Sequence, residues 1–202
     1  MDSIYISDEP VIFNLIKDKK VLSDYSCRIN GMDKTYVVKE NLIKDVLYDA
    51  STDKPIFKTS RGYFDIKRKF WVDDKCVSNM RSMTSRCLNK YSVEILNKET
   101  NKMEKFVLNC DPFFYYGYIL YLNENGQVSL VCKITKDQYE KYDYQIEIAP
   151  GIDYMMMIAV CLHFVEESDK LIEIGVEDSS KKVDVGHVVN IIDFVIKSIF
   201  KN

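Results

Sequence analysis

Basic side chains are concentrated in one part of the sequence. Residues 54–90 contain ten Lys or Arg and three acids, whereas the 202-residue chain as a whole carries a net charge of −3. Residues 137–178 contain eleven acids and two lysines. Converging Lys and Arg side chains are typical of sites that bind phosphate and other anions. The alternative is a set of strand faces that are charged because they face water. Both interpretations stay open at this point.

Aromatic residues accompany the basic window. Tyr63, Phe64, Phe70 and Trp71 lie in it, and exposed aromatic rings next to basic residues can stack on nucleic-acid bases. The sequence pI of about 5.5 argues against such a partner. Alternation along strands must also place some aromatic side chains in a core. We therefore expect no nucleic-acid partner and interpret these residues mainly as core.

Residue patterns for catalysis or metal binding are missing from the sequence. There is no Gly-x-Ser-x-Gly elbow, P-loop, Gly-x-Gly-x-x-Gly or His-Glu-x-x-His. His163 lies in an apolar run, where a core histidine is the simpler interpretation. The acid pairs Asp73-Asp74 and Asp49 with Asp53 lack EF-hand spacing and are typical of turns. We predict that the protein is not an enzyme and uses no metal or cofactor.

The six cysteines are scattered and form no Cys-x-x-Cys pair. We expect them to be reduced, buried thiols. The acidic N-terminus lacks the basic and apolar segments of a signal peptide, and the apolar run Ile152–Val165 is too short to span a bilayer. These features favour a cytoplasmic protein without a transmembrane segment, which a membrane surface could recruit.

Short alternating segments separated by polar turns run from about Val11 to Ile148, which is typical of a sandwich or barrel. In Tyr142–Ile148 the aromatic and aliphatic residues share one face, and the polar residues share the other. We predict strands at Tyr36–Val38, Asp45–Tyr48, Ile56–Thr59, Lys69–Asp73, Lys75–Arg81, Tyr91–Leu96, Glu104–Asn109, Tyr115–Leu122, Gln127–Ile134 and Tyr142–Ile148.

A nearly all-apolar helix is predicted after these strands, over about residues 153–166. Ala149-Pro150-Gly151 ends the last strand, and Asp153 is placed to cap the helix. A helix that is apolar around most of its circumference belongs at the centre of a core. The simplest architecture is a closed or nearly closed barrel whose apolar strand faces surround the helix.

The C-terminal extension, residues 168–202, carries a second predicted pattern. Leu171–Val176 could add a strand, and Val183–Phe200 reads as an amphipathic helix. Its apolar stripe favours a lid on the barrel, with a partner-binding or dimerising surface and an interfacial membrane helix as alternatives. The candidate partner-interface residues are Val188, Ile192, Val195 and Ile199. We predict one domain over residues 1–202.

Three segments resemble the tubby C-terminal-like superfamily and, within it, the LURP-one-related family, which is related to the phospholipid scramblases. Tyr48–Lys58 and Phe70–Arg81 look like the family's strand-turn-strand units, and Tyr144–Tyr154 is similar to its final strand entering an apolar helix. They follow the family's order over roughly Tyr36–Glu167. The turns carry Asp or Asn where relatives often have Gly.

The resemblance implies a mainly β fold, a closed antiparallel barrel of about twelve strands around the helix at Asp153–Glu166. It also implies a non-enzymatic binding module, because tubby domains bind phosphoinositide headgroups through Lys and Arg on barrel strands. The alternative is a protein-interaction or regulatory scaffold that uses the C-terminal helix. The residues in this sequence that could bind such a headgroup are Arg61, Lys67, Arg68, Lys69 and Arg81.

Overall fold

A computed structural model of the chain describes residues 5–17, 25–31, 35–40, 45–61, 67–83, 90–97, 100–111, 116–136 and 144–173. The strands in these ranges are β1 (Val11–Lys17), β2 (Tyr25–Ile29), β3 (Thr35–Glu40), β4 (Asp45–Asp49), β5 (Lys54–Arg61), β6 (Lys67–Val72), β7 (Lys75–Ser82), β8 (Lys90–Asn97), β9 (Lys102–Asp111), β10 (Tyr116–Leu122), β11 (Val128–Lys136) and β12 (Tyr144–Ile148), and the helix is α1 (Tyr154–Glu173).

The strands form one closed antiparallel barrel. Each strand pairs with its neighbours in the sequence, and β1 pairs with β12 to close the ring. Phe13 of β1 lies opposite Ile146 of β12. Closure pairs both edges of every described strand, so none of these strands offers an open edge to another chain. The predicted closed barrel of about twelve strands is confirmed, and the ten predicted strands correspond to β3–β12. Only β1 and β2 lacked a predicted strand of their own.

The apolar helix occupies the barrel interior. Residues 154–162 are all buried, and the half-buried ring of His163 meets Tyr91 edge-on with centroids 4.5 Å apart. The Asp153 carboxylate accepts a hydrogen bond from the N–H of Met156 at 3.0 Å, so the predicted cap is confirmed. Because the helix is apolar on nearly every side, only a surrounding sheet can bury it.

The helix is longer than the sequence analysis predicted. It continues to Glu173, so the predicted end near residue 166 was too early. The strand predicted at Leu171–Val176 is wrong for its first three residues, which are helical. Residues 167–173 include Glu, Lys and Leu, which favour a helix once one has started. The predicted amphipathic helix, with Val188, Ile192, Val195 and Ile199, lies outside the described residues.

Gly117 of β10 allows the helix to approach the barrel wall. It is buried, and a Cβ atom there would lie 3.2 Å from Cδ1 of Ile134 and 3.3 Å from both the Asn109 carbonyl oxygen and Cδ2 of Phe164 on α1. A larger residue would have to displace the helix side chain or a neighbouring strand.

Tight turns at one end of the barrel use acids and an amide in the left-handed region. Asp49 supports the β4–β5 turn by accepting the N–H of Ser51 at 2.8 Å. Asp and Asn tolerate this conformation better than most side chains. The predicted turn role of the acid pairs is therefore confirmed. Among the described residues, those other than glycine with positive φ are Asp53 (52°), Asp73 (46°), Asp74 (60°) and Asn101 (52°).

The prediction that the cysteines are buried is wrong at one position. Cys27, Cys110, Cys132 and Cys161 are buried and free, whereas Cys76 is free but exposed. Cys76 lies at the start of β7, after the Asp73-Asp74 turn. The pairing of β6 with β7 shifts register here, between Phe70 and Trp71. That irregularity lets two exposed residues follow one another in β7. Cys87 lies outside the described residues.

The two ends of the barrel differ in what faces the interior. We call the end where β1 finishes and β12 begins the upper end. Helix α1 starts at the lower end, directly after β12, and rises to the upper end. No helix within the described ranges has the length and apolar character needed to cross a bilayer. The charged residues that are buried in the described part of the chain lie near the upper end and are Lys17, Asp45, Arg68, Lys136 and Glu166.

Candidate functional site

Strand β6 divides the predicted basic residues between two sides of the barrel wall. Lys67 and Lys69 are exposed, whereas Arg68 and Phe70 are buried at 5% and 0% exposure. Successive side chains of a strand point to opposite faces. An inward Phe70 therefore requires an inward Arg68, and this signal was readable from the sequence. Arg68 does not join the exposed basic residues with which it was predicted.

Neighbouring strands bring a third exposed cation next to the two lysines. Arg81 of β7 lies directly opposite Lys67, and Asn79 lies opposite Lys69. Together they border a shallow surface depression of about 270 Å³, which we call the basic depression. Its residues are Lys67, Arg68, Lys69, Asn79, Met80, Arg81, Ser92 and Glu94. Arg68 and Met80 are buried with their side chains toward the interior, so the floor of the depression is the barrel wall itself.

The three exposed cations of the basic depression, Lys67, Lys69 and Arg81, lack ion-pair partners among the described residues. Some exposed cations elsewhere do have such partners, since Lys58 Nζ lies 3.5 Å from Asp74 and Lys102 Nζ lies 3.1 Å from Glu124. Among the described residues that border the depression, the half-buried Glu94 is the one acid beside Lys67, Lys69 and Arg81. Three positive charges and one negative charge make this surface attractive to an anion.

Arg61, the remaining predicted headgroup residue, ends β5 opposite Arg68 in register. Its side chain lies outside the described residues. The structure therefore brings together Lys67, Lys69 and Arg81 from the predicted set and separates Arg68 from them.

Arg68 instead belongs to a buried network at the upper end of the barrel. Its two terminal nitrogens donate to the two carboxylate oxygens of Glu166 on α1, at 3.3 and 2.5 Å. Asp45 of β4 lies 3.7 Å from the same guanidinium and accepts a hydrogen bond from the Thr59 hydroxyl at 2.8 Å. The network ties the central helix to three strands of the wall.

Several residues that shape these two clusters were missed by the sequence analysis. Asn79, Ser92 and Glu94 enter the basic depression only because β7 pairs with both β6 and β8. Asp45 and Glu166 reach Arg68 from elements far apart in the sequence. No local pattern carries a strand register or a contact across a barrel, so no sequence signal marked them.

Two of the buried thiols, Cys27 and Cys161, lie where the environment disfavours the thiolate. Burial raises the pKa of Cys27, and burial together with a hydrogen bond to Cys132, whose sulfur lies 3.5 Å away, raises that of Cys161. A nucleophilic or metal-binding thiol needs a lowered pKa. Within the described ranges, no three His, Cys, Asp or Glu side chains come together as metal ligands.

Comparison with known proteins assigns the family. The model of the LURP-one-related family matches residues 12–165, which is most of the chain. The chain belongs to the LURP-one-related family. The match runs from β1 to the buried part of α1, so it covers the whole described barrel of this LURP-one-related protein. No curated protein and no solved structure shows significant similarity. The resemblance seen in the sequence is confirmed, and it fits a tubby-like barrel that serves as a binding module.

Proposed function

We propose that this barrel binds a phosphorylated anionic headgroup of the phosphoinositide class at the basic depression, without catalysing a reaction on it. One observation carries the proposal. Lys67, Lys69 and Arg81 line a single concavity, and none of them has an ion-pair partner among the described residues. Because these three cations lie close together and no described carboxylate pairs with them, they are available to bind an anionic ligand.

The chemistry of the side chains suits a phosphorylated inositol ring. The Arg81 guanidinium can donate two parallel hydrogen bonds to one phosphate, and the two lysines supply mobile point charges for others. Asn79 and Ser92 add neutral hydrogen-bonding groups beside them. Glu94 is an acceptor suited to a ring hydroxyl. The expected site of action is the cytoplasmic face of a membrane, where anionic lipids attract basic surfaces at about 1 kcal/mol per Lys or Arg.

The first experiment is sedimentation of the full chain with phosphatidylcholine vesicles, with and without phosphatidylinositol bisphosphate, at low and near-physiological salt. A soluble inositol polyphosphate and inorganic phosphate serve as competitors. Competition by the polyphosphate shows that the headgroup is recognised. Binding that vanishes at near-physiological salt shows only general attraction between exposed charges.

The matched variants are Lys69→Glu/Arg81→Glu and Lys54→Glu/Lys75→Glu. All four residues are exposed, and each pair changes the net charge equally, but Lys54 and Lys75 lie at the lower end of the barrel. We expect the first pair to lose more than about tenfold in vesicle affinity, from about 1 kcal/mol per cation. The second pair should bind within about twofold of the wild type.

Two further results would contradict the proposal. One is no binding by the wild type under any of these conditions. The other is equal loss of binding in both double variants, which would indicate net charge rather than a site. An absence of lipid binding, together with concentration-dependent association that Ile192→Asp abolishes, would favour the protein-interaction alternative.

A further inference from the structure

The basic depression and the buried network lie on opposite sides of the same strand. Lys67 and Lys69 face outward from β6, and Arg68 between them faces inward. Only one layer of backbone separates the two environments. Charges inside the barrel therefore act on a ligand outside it through a region of low dielectric constant, where salt screens poorly.

The contacts inside the wall bring two carboxylates to one guanidinium. Glu166 binds Arg68 with both oxygens, and Asp45 lies 3.7 Å from it. All three side chains are at most 6% exposed. Both carboxylates place negative charge directly behind the basic depression, and this charge opposes the binding of an anion outside.

Other buried charges at this end lie farther from the depression. Lys17 and Lys136 stand on β1 and β11, on either side of β12. In a ring of twelve strands β12 lies opposite β6, so α1 stands between these lysines and the Arg68 cluster. Lys17 Nζ lies 5.8 Å from the Tyr25 ring centre, and Lys136 Nζ lies 3.2 Å from the Tyr144 hydroxyl. Among the described residues, the buried charges nearest β6 are therefore those of Arg68, Asp45 and Glu166.

We propose that Glu166 lowers and thereby sets the anion affinity of the basic depression, acting through Arg68 and the barrel wall. This inference rests on the function proposed above. Helix α1 then contributes to ligand binding, because it carries the Glu166 carboxylate that offsets the positive charge of Arg68. A buried ion pair is by itself weak evidence that a fold is stabilised. An effect on anion affinity gives the Arg68–Glu166 pair a function beyond stability.

The test is Glu166→Gln, which keeps the shape of the side chain and removes its charge. We expect affinity for vesicles containing phosphatidylinositol bisphosphate to rise about two- to tenfold at near-physiological salt, from one charge acting at an effective dielectric constant of about 20 or more. The soluble inositol polyphosphate should show the same rise. The variant should also unfold at a lower temperature, because the helix is held less firmly.

Two further variants keep the result decisive. Asp45→Asn removes the second carboxylate from Arg68 and should also tighten binding. Glu124→Gln makes the same chemical change as Glu166→Gln at an exposed, lower-end ion pair with Lys102, and its affinity should match the wild type. Should Glu166→Gln not fold, Asp45→Asn carries the test.

The opposite signs of the two effects separate charge from structural support. If Glu166 had only a structural role, the affinity for the headgroup would fall together with the stability. That result, or unchanged affinity in both carboxylate variants, would overturn the inference. Binding by the wild type would still uphold the proposed function in either case. Failure of the wild type and of both carboxylate variants to bind would overturn both.

Discussion

Replacing Arg68 by Met should strongly destabilise the barrel. The change keeps most of the aliphatic stem but removes the guanidinium that Glu166 and Asp45 both approach. Asp45 is 0% exposed and Glu166 is 5% exposed, so neither carboxylate gains water in exchange. Breaking one buried ion pair typically costs about 3–5 kcal/mol. We expect a loss in this range, which is a large share of a typical total stability of about 5–15 kcal/mol.

The measurement is urea unfolding followed by far-UV circular dichroism and by the fluorescence of Trp71. Trp71 is the only tryptophan and lies on β6, so it reports on the strand that carries the change. A loss of 3–5 kcal/mol corresponds to a fall in Tm of about 6–20 °C for a chain of this size. Lys58→Met is the control, since its ion pair with Asp74 is exposed and should cost less than about 1 kcal/mol.

A double-mutant cycle tests the cause. Arg68→Met/Glu166→Leu replaces the pair by apolar groups, so it should be less destabilised than the sum of the single variants Arg68→Met and Glu166→Leu. A loss below about 1 kcal/mol for Arg68→Met, or simple additivity in the cycle, would show that the contact between Arg68 and Glu166 contributes little to the free energy of unfolding.

Three further predictions concern the contact of the helix with the barrel wall and the cysteine thiols. Gly117→Ala should lower the free energy of unfolding by about 1–3 kcal/mol in urea titrations, because its Cβ would meet Phe164 at 3.3 Å; a neutral effect would show that the helix has room. Cys76 should be alkylated in the native protein while Cys27 and Cys161 react only on unfolding, as peptide mass spectrometry can show. Burial raises the folded-state pKa of Cys27 and Cys161, so above the unfolded thiol pKa of about 8.5 these groups ionise more readily in the unfolded state. Their contribution to the free energy of unfolding should therefore be fully present below that pH and decrease as the pH rises beyond it. An unchanged urea midpoint between neutral and alkaline pH would contradict this.

Much of the architecture could be predicted because its signals are local. Alternating residues marked ten of the twelve strands, and the apolar run after Asp153 marked a helix that needed apolar surroundings on all sides. The end of that helix was missed, because Leu171 and Ile172 suggested a strand where the established helix simply continues. Cys76 was missed because an irregularity in the pairing of β6 with β7 is invisible in the sequence.

The candidate site was only partly predictable. The concentration of basic residues pointed to the right strands, and Lys67, Lys69 and Arg81 do meet on one surface. Arg68 was grouped with them by charge alone, although the alternation that buries Phe70 also buries Arg68.

The sequence by itself determined that this chain builds a barrel around a helix, because periodicity and apolar content are properties of short segments. It also determined which strands carry the basic residues. Only the tertiary structure decided that Asn79, Ser92 and Glu94 border the same depression, because strand register depends on pairing between segments. The contact of Arg68 with Glu166, 98 residues away, exists only because closure of the barrel brings α1 against β6.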